Sequence, residues 1–225
     1  MDILERIEYT IYIFPGIILG FIVHEFAHAL IAHKLGDPTP KEQNKLNLKP
    51  NTHIDLIGIF MIIILGFGWA KPVETNPNYL KKPRLHTILI SIAGPFSNLF
   101  LAIFLCASLS FLQFYQIINF ETLSLANDSP AFNWFFYLLT IFILHAVHIN
   151  VMLFMFNLLP FPPLDGFHVV ENLLPSSFYK ILAFLHKYGF IILILLLVVF
   201  SSYFLPYIDS FTNFLFNIFN IDVTK

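Results

Sequence analysis

Apolar runs long enough to cross a bilayer alternate with short polar connections along this chain. Four runs stand out, at about 9–32, 86–113, 132–159 and 179–205; each exceeds the roughly 20 residues a helix needs to span a hydrocarbon core about 30 Å thick. A fifth run, Ile54 to Gly68, has only about 15 residues. That length suits a re-entrant or interfacial element, or a β-hairpin within 54–73, better than a span. The stretch 206–221 is aromatic-rich and broken by Pro206 and Asp209. It reads either as an interfacial helix or as a short extra span. The stretch Asp37 to Asp55 holds three prolines and several asparagines, the composition of loop and turn. The pattern predicts an all-α polytopic membrane protein with about four to six transmembrane helices. It also predicts a single membrane-embedded domain over residues 1–225, with a core at 9–175 and C-terminal helices at 179–221.

Composition agrees. The 225 residues are 57% hydrophobic and 12% charged, with a mean hydropathy of +0.76, which excludes an ordinary soluble domain. A net charge of -2 and the lack of a basic cluster interleaved with aromatics give no reason to expect nucleic acid as a partner. Cys106 is the only cysteine, so neither an intrachain disulfide nor a thiolate metal cluster is expected. Asp2, Glu5, Arg6 and Glu8 precede the first run in place of a basic n-region, so no cleavable signal peptide is expected. Eight of the 12 lysines and arginines lie between the first two spans, whereas 114–131 has none. The positive-inside rule then makes the first loop cytoplasmic.

Within the first run, Tyr9 to Ala32, Glu25 is the only formally charged side chain. A carboxylate near the middle of a span costs roughly 2.5–3.5 kcal/mol on insertion scales and calls for a functional reason. The spacing supplies one. His24 and His28 are four residues apart and share a helix face, so both imidazoles can reach one metal ion. Glu25 is then placed to take a proton from a metal-activated water. Counted back from Lys34 at 1.5 Å per residue, the two histidines lie roughly 15 and 9 Å below the cytoplasmic boundary.

Catalytic zinc ordinarily has three protein ligands and an open position. The third span ends in Asn157-Leu158-Leu159-Pro160-Phe161-Pro162-Pro163-Leu164-Asp165-Gly166, where three prolines end regular helix. Irregular backbone at membrane depth is tolerated only inside protein or beside a wet cavity. Asp165 on such a segment is the natural third ligand, with Gly166 letting the backbone turn beside it. Spacing alone leaves a plain turn aspartate open as well.

With both motifs in view, the sequence resembles the site-2 protease family of intramembrane zinc metalloproteases. The hallmarks are His-Glu-x-x-His, here His24 to His28, and Asn-x-x-Pro-x-Pro-x-x-Asp-Gly, here Asn157 to Gly166. Gly68-Trp69-Ala70-Lys71-Pro72-Val73 and Ala93-Gly94-Pro95-Phe96-Ser97-Asn98 look like the compact bacterial branch without PDZ or CBS domain. The resemblance covers roughly residues 9–175. It implies that His24, His28 and Asp165 bind one zinc per chain, that Glu25 is the catalytic base, and that the domain is a peptidase.

Other polar residues are weighed against these. Asn157 could donate to a substrate backbone or a developing oxyanion, or simply end its helix. Asn98 could orient a ligand or the oxyanion, or pack beside Gly94 and Pro95. His145 and His148 are one turn apart on the third span. As a second ligand pair they would suggest a di-iron oxygenase, but the further histidine boxes such a site needs are missing. They read as interhelical hydrogen-bonding residues, with His148 beside the metal ligands and a ligand role for it as the minority reading. His168 could replace Asp165, although nothing favours it. His53, in a His-Ile-Asp that bacterial relatives share, reads as a supporting residue near the ligands.

The implied activity is zinc-dependent hydrolysis of peptide bonds in membrane-spanning protein substrates, with the lipid bilayer as the other partner. In this reading an unwound substrate pairs with a strand edge in 54–73. The rival is a membrane metal-ion transporter or binding protein that uses the same His/His/Asp site. The expected location is the bacterial inner (plasma) membrane, multi-pass, with the active site toward the cytoplasm. Oligomeric state cannot be read from the sequence.

Overall fold

The computed structural model describes residues 3–65, 68–118 and 131–221. In chain order the helices are α1 (Ile3–Lys34), α2 (Thr39–Glu42), α3 (Pro50–His53), α4 (Leu56–Leu65), α5 (Pro83–Phe114), α6 (Ala131–Asn157), α7 (Asp165–Leu173) and α8 (Tyr179–Ile218). Four segments are long and apolar enough to cross a membrane: Tyr12–Lys34, Pro83–Phe114, Trp134–Asn157 and Ser176–Leu196. These are the four runs of the hydropathy pattern. Most of the connection 114–131, which has no lysine or arginine, lies outside the described residues.

Helices α1, α5 and α6 pack on one another and form the centre of the molecule. Apolar helices gain little from burying more apolar surface in lipid, so close backbone approach decides where they meet. At one crossing, a Cβ added to Gly16 of α1 would lie 3.0 Å from Ala146 Cα of α6. The larger apolar cluster joins Ala102, Leu105, Cys106 and Leu109 of α5 to Ile143, Ala146, Val147 and Val151 of α6. Ile208, Leu215 and Phe216 of α8 also belong to it.

Two expectations are revised. Residues 206–221 form neither a separate span nor a separate interfacial helix. Through residue 218 they continue α8, a 40-residue helix with Pro206 inside it, about 60 Å long at 1.5 Å per residue. The β-hairpin is not found either. Residues 56–65 are helical, and among the described residues strand pairing is limited to an isolated antiparallel bridge, Ile54 to Ala70. Asp55 explains the difference. Its Oδ1 accepts the backbone N–H groups of Ile57 at 2.8 Å and Gly58 at 3.0 Å, satisfying donors that a helix start leaves orphaned. The run Leu56–Leu65 has no period-two alternation to favour a strand.

Candidate metal centre

The His-Glu-x-x-His segment lies on α1 where α5 crosses it, and both histidines are buried. His24 Nε2 and His28 Nε2 are 3.0 Å apart. Asp165 is the first residue of α7, and its Oδ2 lies 3.1 Å from His24 Nε2 and 3.3 Å from His28 Nε2. The three residues expected to be ligands are thus brought together from segments about 140 residues apart. Two glycines permit the approach. A Cβ on Gly94 of α5 would collide with His28 Nε2, and one on Gly166 would collide with the carbonyl of Leu158. Gly166 lies inside the first turn of α7 without a positive φ, so the glycine serves close packing on Leu158 and not the backbone turn expected from the sequence.

Whether these residues suit a cation can be judged from their hydrogen bonds. Asn98 Nδ2 donates to Gly20 O at 3.0 Å, which fixes the amide's orientation. Its Oδ1, 2.8 Å from His24 Nδ1, is then an acceptor, so the His24 ring carries its proton on Nδ1. His28 Nδ1 donates to Ile90 O at 2.7 Å. With both Nδ1 protons spent, two Nε2 lone pairs and a carboxylate oxygen point at one another. Asp165 Oδ2 is buried with no hydrogen-bond partner of good geometry. Three converging acceptors repel unless a cation or a proton sits among them, and the donor set N, N, O suits zinc. The residues fit.

Glu25 is nearly buried, and its Oε2 accepts the backbone N–H of Val73 at 2.9 Å. Val73 belongs to residues 71–76, a strap of no regular structure that meets the site at Glu25. Lys45 Nζ donates to Lys71 O at 2.7 Å, and Lys71 N donates to His53 O at 2.8 Å. Burial pushes the Lys45 ammonium below its ordinary range, and nearby Glu25 opposes that shift. Burial also pushes His53 below its usual value. Its Nε2 donates to Asn47 O at 2.6 Å.

The remaining candidates fall in several places. Asn98 is fully buried, and its two amide hydrogens go to Gly20 O and Asn150 Oδ1. None is left for a substrate, so its geometry is that of a residue orienting His24. Asn157 Nδ2 donates back to Leu153 O at 2.9 Å. His148 faces α8, where its Nδ1 lies 3.7 Å from Asp209 Oδ1. His53 supports the strap rather than a ligand. His168 is largely exposed beside Glu171, 3.5 Å away. Sequence reasoning missed Asn150, which steadies Asn98 and donates to Ala146 O at 2.8 Å. An amide inside an apolar span was the available signal.

The comparisons follow the same lines. The sequence profile of peptidase family M50 matches residues 12–200. The chain is 39% identical over 190 residues to "Putative zinc metalloprotease YwhC" of Bacillus subtilis, covering 83% of this chain and 80% of that protein. It is 28% identical over 214 residues to "Putative zinc metalloprotease Rip2" of Mycolicibacterium smegmatis, covering 88% and 71% respectively. No solved structure is matched. A His/His/Asp triangle with both histidines buried in a bundle of membrane-length helices, and a family match across most of the chain, lead to one conclusion: the chain belongs to peptidase family M50, the site-2 protease family, as a multi-pass membrane zinc metalloprotease.

Proposed function

We propose that residues 1–225 form one peptidase domain that hydrolyses peptide bonds of membrane-spanning protein substrates at the His24, His28 and Asp165 triangle. The observation that carries this reading is the convergence of three lone pairs beside the Glu25 carboxylate. His24 Nε2, His28 Nε2 and an Asp165 oxygen would hold zinc, one per chain. When bound there, zinc supplies Lewis acidity that acidifies a water and polarises the scissile carbonyl. Glu25 takes the proton of the attacking water and returns it to the leaving amine. The Val73 N–H holds Oε2, so Oε1 serves as the basic atom. Asn157 spends one amide hydrogen on Leu153 O, and its other serves the oxyanion. The lysine-rich first loop supports a site on the cytoplasmic side of a bacterial inner membrane.

The test uses purified protein in proteoliposomes with a set of dye-quenched single-span peptides. Glu25→Gln should keep about one zinc per chain and lose cleavage, whereas Asp165→Ala should lose zinc. Cleavage by Glu25→Gln at the wild-type rate removes Glu25 as the base. Zinc flux across the vesicles without cleavage by the wild type would instead favour the transporter reading.

A further inference from the structure

Among the described lysines and arginines, Lys45 alone is buried, at 3% exposure. A lysine in a polar loop ordinarily keeps its ammonium in water, and taking it out is costly unless the charge is used. The loop is shaped to bring this one in. Asn44 adopts a left-handed backbone with φ 55°, and Lys45 N then donates back to Pro40 O at 2.9 Å. The ammonium ends on the Lys71 carbonyl, while the Lys71 N–H is held by His53 O. Lys71 is therefore clasped through both of its backbone groups, two residues before the N–H that holds Glu25. Farther along, the strap is tied by Asn76 N donating to buried Asp37 Oδ2 at 2.6 Å. It is also tied by an exposed reciprocal pair between Glu74 and Gln43. Of these ties, only the Lys45 bond uses a charged donor, and it is the side-chain bond closest to Val73 from the upstream side.

We propose that Lys45 is a positioning residue for Glu25: by clasping the Lys71 carbonyl it fixes the strap, so that the Val73 N–H holds the Glu25 carboxylate beside the metal triangle. The inference rests on Glu25 being the base. In this role Lys45 acts only through the strap.

The experiment uses a dye-quenched single-span peptide that the wild-type protein cleaves in proteoliposomes. Lys45→Met should lower kcat by about 100-fold, the cost of misplacing a reacting group by an ångström, with KM and zinc content unchanged. Lys45→Arg, which keeps a cationic donor, should restore most of the loss. Replacing the 72–73 amide by an ester removes the Val73 N–H without changing any side chain and should lower kcat alone. Adding Lys45→Met to the ester should cost little more, because both changes break one linkage. A kcat for Lys45→Met near wild type overturns the proposal, as do losses that multiply in the double variant. Zinc loss or a proportionate rise in KM also overturns it. If Lys45→Met does not fold, the ester variant decides, since unaltered kcat there removes the Val73 link. Cleavage by Glu25→Gln would show separately that the base assignment has failed.

Discussion

Gly94→Ala tests the triangle with a single methyl group. On α5, the added Cβ would lie 2.5 Å from His28 Cε1 and 2.7 Å from His24 Cε1. Ordinary carbon contacts are about 3.5–4.0 Å, so the rings or the helix must yield by about 1 Å. The rings are poorly placed to do so. His24 is held at Nδ1 by Asn98 and His28 at Nδ1 by Ile90 O, bonds worth about 0.5–1.5 kcal/mol each. Moving α5 instead incurs an overpacking cost of about 1–3 kcal/mol. Zinc sites tolerate only about 0.2 Å in ligand distance, so affinity should fall by at least about 10- to 100-fold. Zinc titration against a competing chelator, beside thermal unfolding of the metal-free protein, measures both effects. Gly16→Ala is the control. Its Cβ would crowd Ala146 at 3.0 Å, away from the ligands, so it should cost stability and leave zinc affinity alone. Wild-type zinc affinity in Gly94→Ala would refute the packing argument, because the histidines would then not be where the triangle needs them.

Asn98→Leu should weaken zinc binding by about 10- to 100-fold by freeing the His24 tautomer. It should also cost about 1–3 kcal/mol of stability by leaving buried groups such as Asn150 Oδ1 unpaired; unchanged zinc titration would count against it. For His53, burial holds the folded-state value below the ordinary 6.5. The unfolded chain therefore binds the proton more readily, so this contribution to stability is present above pH 6.5 and is lost as pH falls below it. Melting curves between pH 5 and 7.5 should have a shallower acid slope in His53→Gln than in wild type, and identical slopes would contradict the assignment.

The fold was legible where hydropathy alone decides. Membrane-length runs have one viable structure in lipid, because every backbone group must be satisfied within the segment. The four runs accordingly became helices α1, α5, α6 and α8. Legibility failed where length no longer forced the outcome. For 54–73, a short apolar run is ambiguous between helix and strand, and the arbiter was one local contact, Asp55 capping the first turn of α4. At 206–221, proline read as a boundary, yet α8 continues through Pro206. Membrane helices accept such a residue when neighbouring groups re-satisfy the freed carbonyl.

In the site, the sequence named the chemical groups, and the structure supplied what orients them. His24, His28 and Asp165 are visible because ligand types at ligand spacing are rare in apolar segments. Asn150 leaves only the weaker trace of an amide in an apolar span, and the Val73 N–H and Lys45 leave none. Asn150 acts on an amide 52 residues away, and Val73 on a carboxylate 48 residues away. A backbone N–H has no letter of its own, and Lys45 looks like any other lysine of a basic loop until its burial is known. These silent groups decide the chemistry. Asn98 and Ile90 take the Nδ1 protons, and only for that reason do the two Nε2 atoms face Asp165 as lone pairs that require a cation. With either proton placed on Nε2 instead, the same three residues would form an ordinary buried hydrogen-bonded cluster, and the motif would be present without the site.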